Sequence, residues 1–283
     1  MANALKRLLP KRFRRESLAI PVVRLNGVIM SGGSPLRSSI SLQGVAPLLE
    51  RAFAMKSAPA VAIIVNSPGG SPVQSRLIYQ RIRDLAAEKG KHVIVACEDL
   101  AASGGYMIAC AGDEIVADPS SVVGSIGVVS GGFGFVELIR KIGVERRVHT
   151  AGQNKATLDP FRPERPEDVE HLKALQLDVH KTFIDLVRAR RGGKLADHPD
   201  LFTGLFWSGV RGLELGLVDR LGDLRSVVRE HYGPTAKLQP VQPRRGLLSM
   251  RPAGGAASRL ASTVGEGLLD VAEERALRAR YGL

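Results

Sequence analysis

A chain of 283 residues with 44% apolar and 24% charged residues is long enough to bury a sizeable core, and this composition excludes the collagen-like and disordered classes. The formal net charge is +12, and the two cysteines, Cys97 and Cys110, are too few for a disulfide framework or a zinc site. Both cysteines lie in apolar surroundings and read as reduced core residues, so the expected compartment is cytoplasmic. Since no run of about 18 apolar residues suits a membrane span, the chain is expected to be soluble or peripheral on the inner membrane.

The chain opens with a basic leader over 1–17, in which Lys6, Arg7, Lys11, Arg12, Arg14 and Arg15 all precede the first acid, Glu16. Basic residues interrupt every apolar run there, which excludes a secretory signal. Contact with an anionic membrane and a solvated, frayed terminus are both open readings of the leader. Nucleic acid is not an expected partner.

The β-branched stretch 18–29 predicts a strand that turns at Asn26-Gly27. Val45, Leu48, Leu49, Ala52 and Phe53 fall at helical spacing and predict a helix over 42–56. "AVAIIV" at 60–65 is a continuous apolar run, as in a strand covered on both faces, and it ends in the turn "NSPGGS". A helix over 72–88 follows, then a second buried strand over 92–98, then a helix opened by Ser103. Short strands over 115–117 and 126–129, a helix over 135–142 and a strand over 144–149 continue the alternation. A long amphipathic helix over 166–190 and a short one over 210–216 complete it. The pattern predicts an α/β layered domain over 18–238 with a mainly parallel sheet. A Pro/Gly-rich linker over 239–258 follows, then one amphipathic C-terminal helix over 259–283. That lone helix is expected to dock on its own domain, a partner subunit or a membrane surface.

Two glycine-rich loops, "NSPGGS" and "DLAASGG", follow consecutive buried strands and each starts a helix. Free N–H groups at such helix starts can hold an oxyanion. Taken singly, each loop is better explained by an N-cap, Ser71 or Ser103, and it is the pair of loops after consecutive buried strands that favours a shared site. Neither loop carries Lys or Arg, and no GxxxxGK[ST] motif occurs, which weakens phosphate binding. Ser103 is the hydroxyl placed to attack an acyl group, but it needs a base. None of the six histidines lies in a glycine-rich loop, and His171 and His180 fall on the long charged helix. A lysine serves instead when burial lowers its pKa. Lys155, in "HTAGQNKATLDPFRPE", stands alone among small and polar residues, whereas Lys173 and Lys181 sit on amphipathic helices. Pattern alone favours a surface role for Lys155.

"NSPGGS", "AASGGYMIACAGDEIVADPSSVVGSIGV" and "AGQNKATLDPFRPE" occur in the order found in the serine–lysine signal peptide peptidase A family, and "GVRGLELGLVDRLGDL" resembles the closing element of its catalytic domain. The resemblance covers about 22–228; "NSPGG" alone is shared with the wider Clp-protease and crotonase group. It implies a ClpP/crotonase-like fold of repeated strand–strand–helix units. It also implies Ser103 as nucleophile, Lys155 as general base and Ser125 as the group that orients the lysine amine. The oxyanion hole would come from the N–H of Gly104 and of Gly69 or its neighbour Gly70. No metal, nucleotide or other cofactor is implied. The family's activity would make this a serine endopeptidase cleaving hydrophobic peptides, such as signal-peptide remnants, through an acyl-enzyme, in a homo-oligomer with sites near subunit junctions. Met107 departs from the second tyrosine of many relatives, and the basic leader stands where the family has a membrane-anchoring helix. A crotonase-like acyl-CoA enzyme and a non-catalytic membrane-surface scaffold remain the alternative readings.

Overall fold

The apolar runs at 18–29, 60–65 and 92–98 become the centre of one sheet. In the computed structural model, which describes residues 18–32, 39–242, 276 and 278–282, strands β1 (Ala19–Asn26), β2 (Ala60–Ser67) and β3 (His92–Ala102) lie side by side and parallel. The predicted leader, most of the predicted linker and most of the predicted C-terminal helix lie outside the described residues. Every residue of β2 is buried, as a strand covered on both faces requires. Alternation sends Val61, Ile63 and Val65 of β2, with Val93 and Val95 of β3, into the larger core beneath α1 (Leu42–Phe53) and α2 (Pro72–Lys89). Ala60, Ala62, Ile64 and Ile94 face a smaller core closed by Leu224, Val227 and Val228 of α7 (Leu224–Tyr232).

Along the sheet the order is β6-β5-β3-β2-β1-β8, with β4 beside β3 and β7 beside β4. Here β4 is Glu114–Ala117, β5 Val122–Gly124, β6 Phe206–Ser208, β7 Arg220–Leu221 and β8 Lys237–Pro240. All pairs are parallel except β5 with β6. Strand β3 serves two neighbours in turn, pairing β4 through Ile94–Cys97 and β5 through Leu100–Ala102. Between those halves its register with β2 jumps, from Val65↔Cys97 to Ser67↔Ala101. Such a bulge bends and re-aims a strand. Asn66 Nδ2 pins it by donating to Asp99 Oδ2 at 2.7 Å.

Helix ends follow capping chemistry. The side chains of Ser41 and Ser71 cap α1 and α2, Gly90 ends α2 in the left-handed region, and Asp223 caps α7. The six residues of α3 (Gly104–Ala109) are all buried. The long α5 (Pro166–Arg191) is tied down at its end by Arg191, only 3% exposed, which donates twice to the Gly216 carbonyl and pairs with Asp219 at 2.8 Å.

Two predicted strands are absent. Residues 126–129 and 144–149 are not strands, and the neighbouring pairing goes to β5 and β6 instead. None of residues 127–165 is buried; they form an arm with one short helix, α4 (Val136–Lys141). Their β-branched residues have no strand of the described chain to pair with, and strand propensity without a partner surface decides little. Beyond α6 (Gly209–Glu214), the elements β7, α7 and β8 were not anticipated from sequence, and β8 carries the sheet to Pro240.

Candidate active site

Strand register brings the candidate residues to one edge. The last pairs of β3 are Ser67↔Ala101 on one side and Ala102↔Gly124 on the other. The next residues out are Ser103 and Ser125, at the ends of neighbouring parallel strands, with Pro68, Gly69 and Gly70 on the opposite flank. This is the carboxyl edge of the sheet, where α/β proteins place their ligands. A cavity of about 770 Å³ opens there, and Gly70, Ser103, Gly104 and Ser125 line it.

Ser103 sits at φ 53° and ψ −123°, a conformation that costs a residue with a Cβ about 1–3 kcal/mol. Its N–H donates to the Gly124 carbonyl at 2.8 Å, and its carbonyl accepts from Met107 N–H at 3.0 Å. Both ends of the turn are thereby fixed. The Ser103 side chain makes no cap hydrogen bond, and its Oγ has no hydrogen-bond partner among the described residues. Ser71, by contrast, accepts from Gln74 N–H and is an ordinary cap. The capping explanation therefore holds for Ser71 and fails for Ser103.

Gly69 lets the two loops touch. A Cβ there would stand 2.7 Å from Ser103 Cβ and 2.9 Å from Gly104 N, on a backbone at φ 103°. The Gly69 N–H is already given to Ser67 Oγ at 3.2 Å. Among the described residues no acceptor takes the N–H of Gly70 or Gly104. Of the two glycines considered for the second oxyanion donor, the geometry favours Gly70. The Gly104 position is equally tight, since a Cβ would fall 2.3 Å from Ser75 Oγ.

Lys155 stands apart from this group. It is exposed on the arm, its N–H donates to the Gly152 carbonyl at 3.3 Å, and it does not line the Ser103 cavity. The loop that carries it is braced. Arg146 bonds both oxygens of Asp159 at 3.1 Å, and Leu158 N–H reaches Asp168 Oδ2 at 3.3 Å. Hydrogen bonds from Arg165 hold the Asp168 carboxyl below its usual range. The arm's outer face carries Phe133, Leu138, Ile142 and Val144, all exposed.

Two residues of the cavity wall were missed from sequence. His180 of α5 donates from Nε2 to the Ile126 carbonyl at 3.0 Å and so holds the turn that carries Ser125. The signal was available, because His180 shares a helical face with Phe183 and Val187, both buried. The second is Tyr281, whose hydroxyl donates to Ser125 Oγ at 3.1 Å. Elsewhere, burial pushes the thiols of Cys97 and Cys110 up to about 12, so both behave as inert core residues. Among the described residues no group of three or more His, Cys, Asp or Glu is placed to hold a metal ion.

The layered α/β architecture, the mostly parallel sheet and the serine at its carboxyl edge define a protein of the ClpP/crotonase-like class. The chain belongs to peptidase family S49, whose model matches residues 86–236. It is 63% identical over 290 aligned residues to a Brucella abortus protein named Na(+)/H(+) antiporter NhaA, covering all of this chain and 39% of that protein. It is 32% identical to Protease 4 of Haemophilus influenzae, over 78% of this chain and 36% of that one. With Serine protease SPPA, chloroplastic, of Arabidopsis thaliana it shares 30% identity, over 74% of this chain and 31% of the relative. The chain thus spans about two fifths or less of the length of these relatives. Among the described residues no helix is long and apolar enough to cross a membrane.

Proposed function

We propose that the chain is a serine endopeptidase that cleaves extended apolar peptides through an acyl-enzyme, with Ser103 as nucleophile and Lys155 as base. The observation that carries the reading is Ser103, on a strained backbone and with its hydroxyl unpartnered among the described residues, beside two backbone N–H groups that find no acceptor among them. The neutral Lys155 amine accepts the Oγ proton while Oγ bonds to the scissile carbonyl carbon. The N–H groups of Gly104 and Gly70 receive the oxyanion, an interaction worth about 3–4 kcal/mol per donor. As the C–N bond breaks, the lysine returns its proton to the leaving amine. Water, deprotonated by the same amine, then releases the acyl group. Val28, Ile29, Met30, Met107 and Val128 line the cavity, a wall suited to apolar side chains of a peptide added along the strand edge.

An exposed lysine outside the cavity does not complete a site within one chain. We therefore assign its delivery to a second copy. The exposed apolar face of the arm would be covered on assembly, and that burial would supply the desolvation a lysine base needs. The test is hydrolysis of an apolar reporter peptide by wild type, Ser103→Ala and Lys155→Ala. Each variant alone should lose at least about a thousand-fold in kcat. Mixing the two dead variants should restore part of the rate if the dyad crosses subunits. Full activity in either variant overturns the dyad and returns the acyl-CoA and scaffold readings.

A further inference from the structure

The carboxyl-terminal segment of the chain already occupies part of the catalytic cavity. Arg280 and Tyr281 line the same space as Ser103. Tyr281 is only 9% exposed. Its ring meets Phe206 edge to face, with centroids 4.8 Å apart, and packs with Leu100 and Ala102 at the end of β3. Its hydroxyl donates to Ser125 Oγ at 3.1 Å, and the Pro68 carbonyl, 3.5 Å away, is the alternative acceptor for the same proton. One aromatic side chain thus touches both walls that flank Ser103 and satisfies the serine assigned to orient the lysine.

We infer that the segment around Tyr281 is an intramolecular competitor of the peptide substrate, and that its phenol and the Lys155 amine are alternative occupants of Ser125. This rests on the dyad reading above for the identity of the displaced amine, though not for the occupancy itself. A lysine amine that serves as base must lie within hydrogen-bond reach of both Ser103 and Ser125. Ser125 is 8% exposed with Tyr281 in place, so the ring and the amine cannot share that approach. With the tail in, the nucleophile is present and its base is shut out; with the tail out, base and substrate both enter.

The strength required is modest. The segment belongs to the same chain as β8, and intramolecular attachment supplies an effective concentration of up to about a millimolar. An intrinsic dissociation constant near 0.1 mM would then leave roughly nine in ten sites filled. Substrate must displace the tail, so the tail raises the apparent KM by roughly ten-fold and leaves kcat unchanged.

The experiment uses the full chain. Tyr281→Ala should lower KM for an apolar reporter by roughly ten-fold at constant kcat, and Tyr281→Phe, which keeps the ring and loses the hydroxyl, should lower it by less. A fluorescent peptide of sequence Ala276–Gly282 should bind the Ser103→Ala/Tyr281→Ala protein saturably by anisotropy and be displaced by the reporter; its tyrosine-to-alanine analogue should not bind. The proposal is overturned if Tyr281→Ala, melting as wild type does, keeps the wild-type KM, or if the labelled peptide does not bind at about 1 mM. The binding arm needs no catalysis. A protein that cleaves nothing yet binds the peptide removes the dyad reading and keeps the tail. An active enzyme that ignores both peptide and substitution removes the tail and keeps the dyad.

Discussion

Ser103 carries the cost of the site in its own backbone. At φ 53° an alanine would be as strained as the serine, whereas glycine adopts positive φ freely. Ser103→Gly should therefore unfold at a higher temperature than Ser103→Ala, by the equivalent of about 1–2 kcal/mol, although both should be inactive. Paired thermal melts check this, and equal melting temperatures would show that the turn stores no strain. Ser125 has the same φ of 53° one strand over. Parallel register has thus set two serines of positive φ side by side, just beyond the ends of β3 and β5.

Among the elements, the end of α5 is held by one buried ion pair rather than by apolar packing alone. Burial pushes the Asp219 carboxyl up, but hydrogen bonds from Arg191, Lys194 and the Ile115 N–H outweigh it and leave the group below its usual range. A carboxyl whose pKa is lower in the folded chain contributes stability that is fully present above the unfolded value near 4, and it loses that contribution as pH falls through the folded value. The melting temperature should accordingly drop more steeply below about pH 4 in wild type than in Asp219→Asn. The asparagine variant should be the weaker protein at pH 7, because it leaves Arg191 buried with its charge uncompensated. Identical acid slopes in the two proteins would remove Asp219 from the account.

At the scale of the molecule, what was legible in the sequence was what local pattern determines. The continuous apolar runs of β2 and β3, the capping serines and the glycine-rich turns all act over a few residues, and they sufficed to place Ser103, Gly104 and Gly70 together. Ser125 was placed by resemblance, and β5 register explains why it belongs there. What was not legible depended on partners distant in the chain. Residues 144–149 have strand composition but no neighbour, β8 has little strand composition but finds β1, and His180 looked like one more polar residue on a charged helix until its turn was set against Ile126. Tyr281 was least accessible of all, since its pocket is built from residues some 75 to 213 positions earlier in the sequence.

The pairing of β8 with β1 has one further consequence. Ala19 lies beside Lys237 and Val22 beside Pro240, in parallel, so the first and last strands of the sheet are neighbours about 5 Å apart, and the start of one is offset from the end of the other by about 10 Å along them. A sheet whose first and last strands are neighbours can be spliced into a longer polypeptide, or have its strand ends rejoined, without disturbing the sheet. A circular permutant that joins Val241 to Leu18 through a short Gly-Ser bridge, with new ends opened in the exposed turn at 131–132, should fold with a cooperative melt, and a permutant that fails to fold would show that the β1–β8 edge must be made from the native ends. Such portability fits a sequence whose relatives carry the same stretch as well under half of a larger protein.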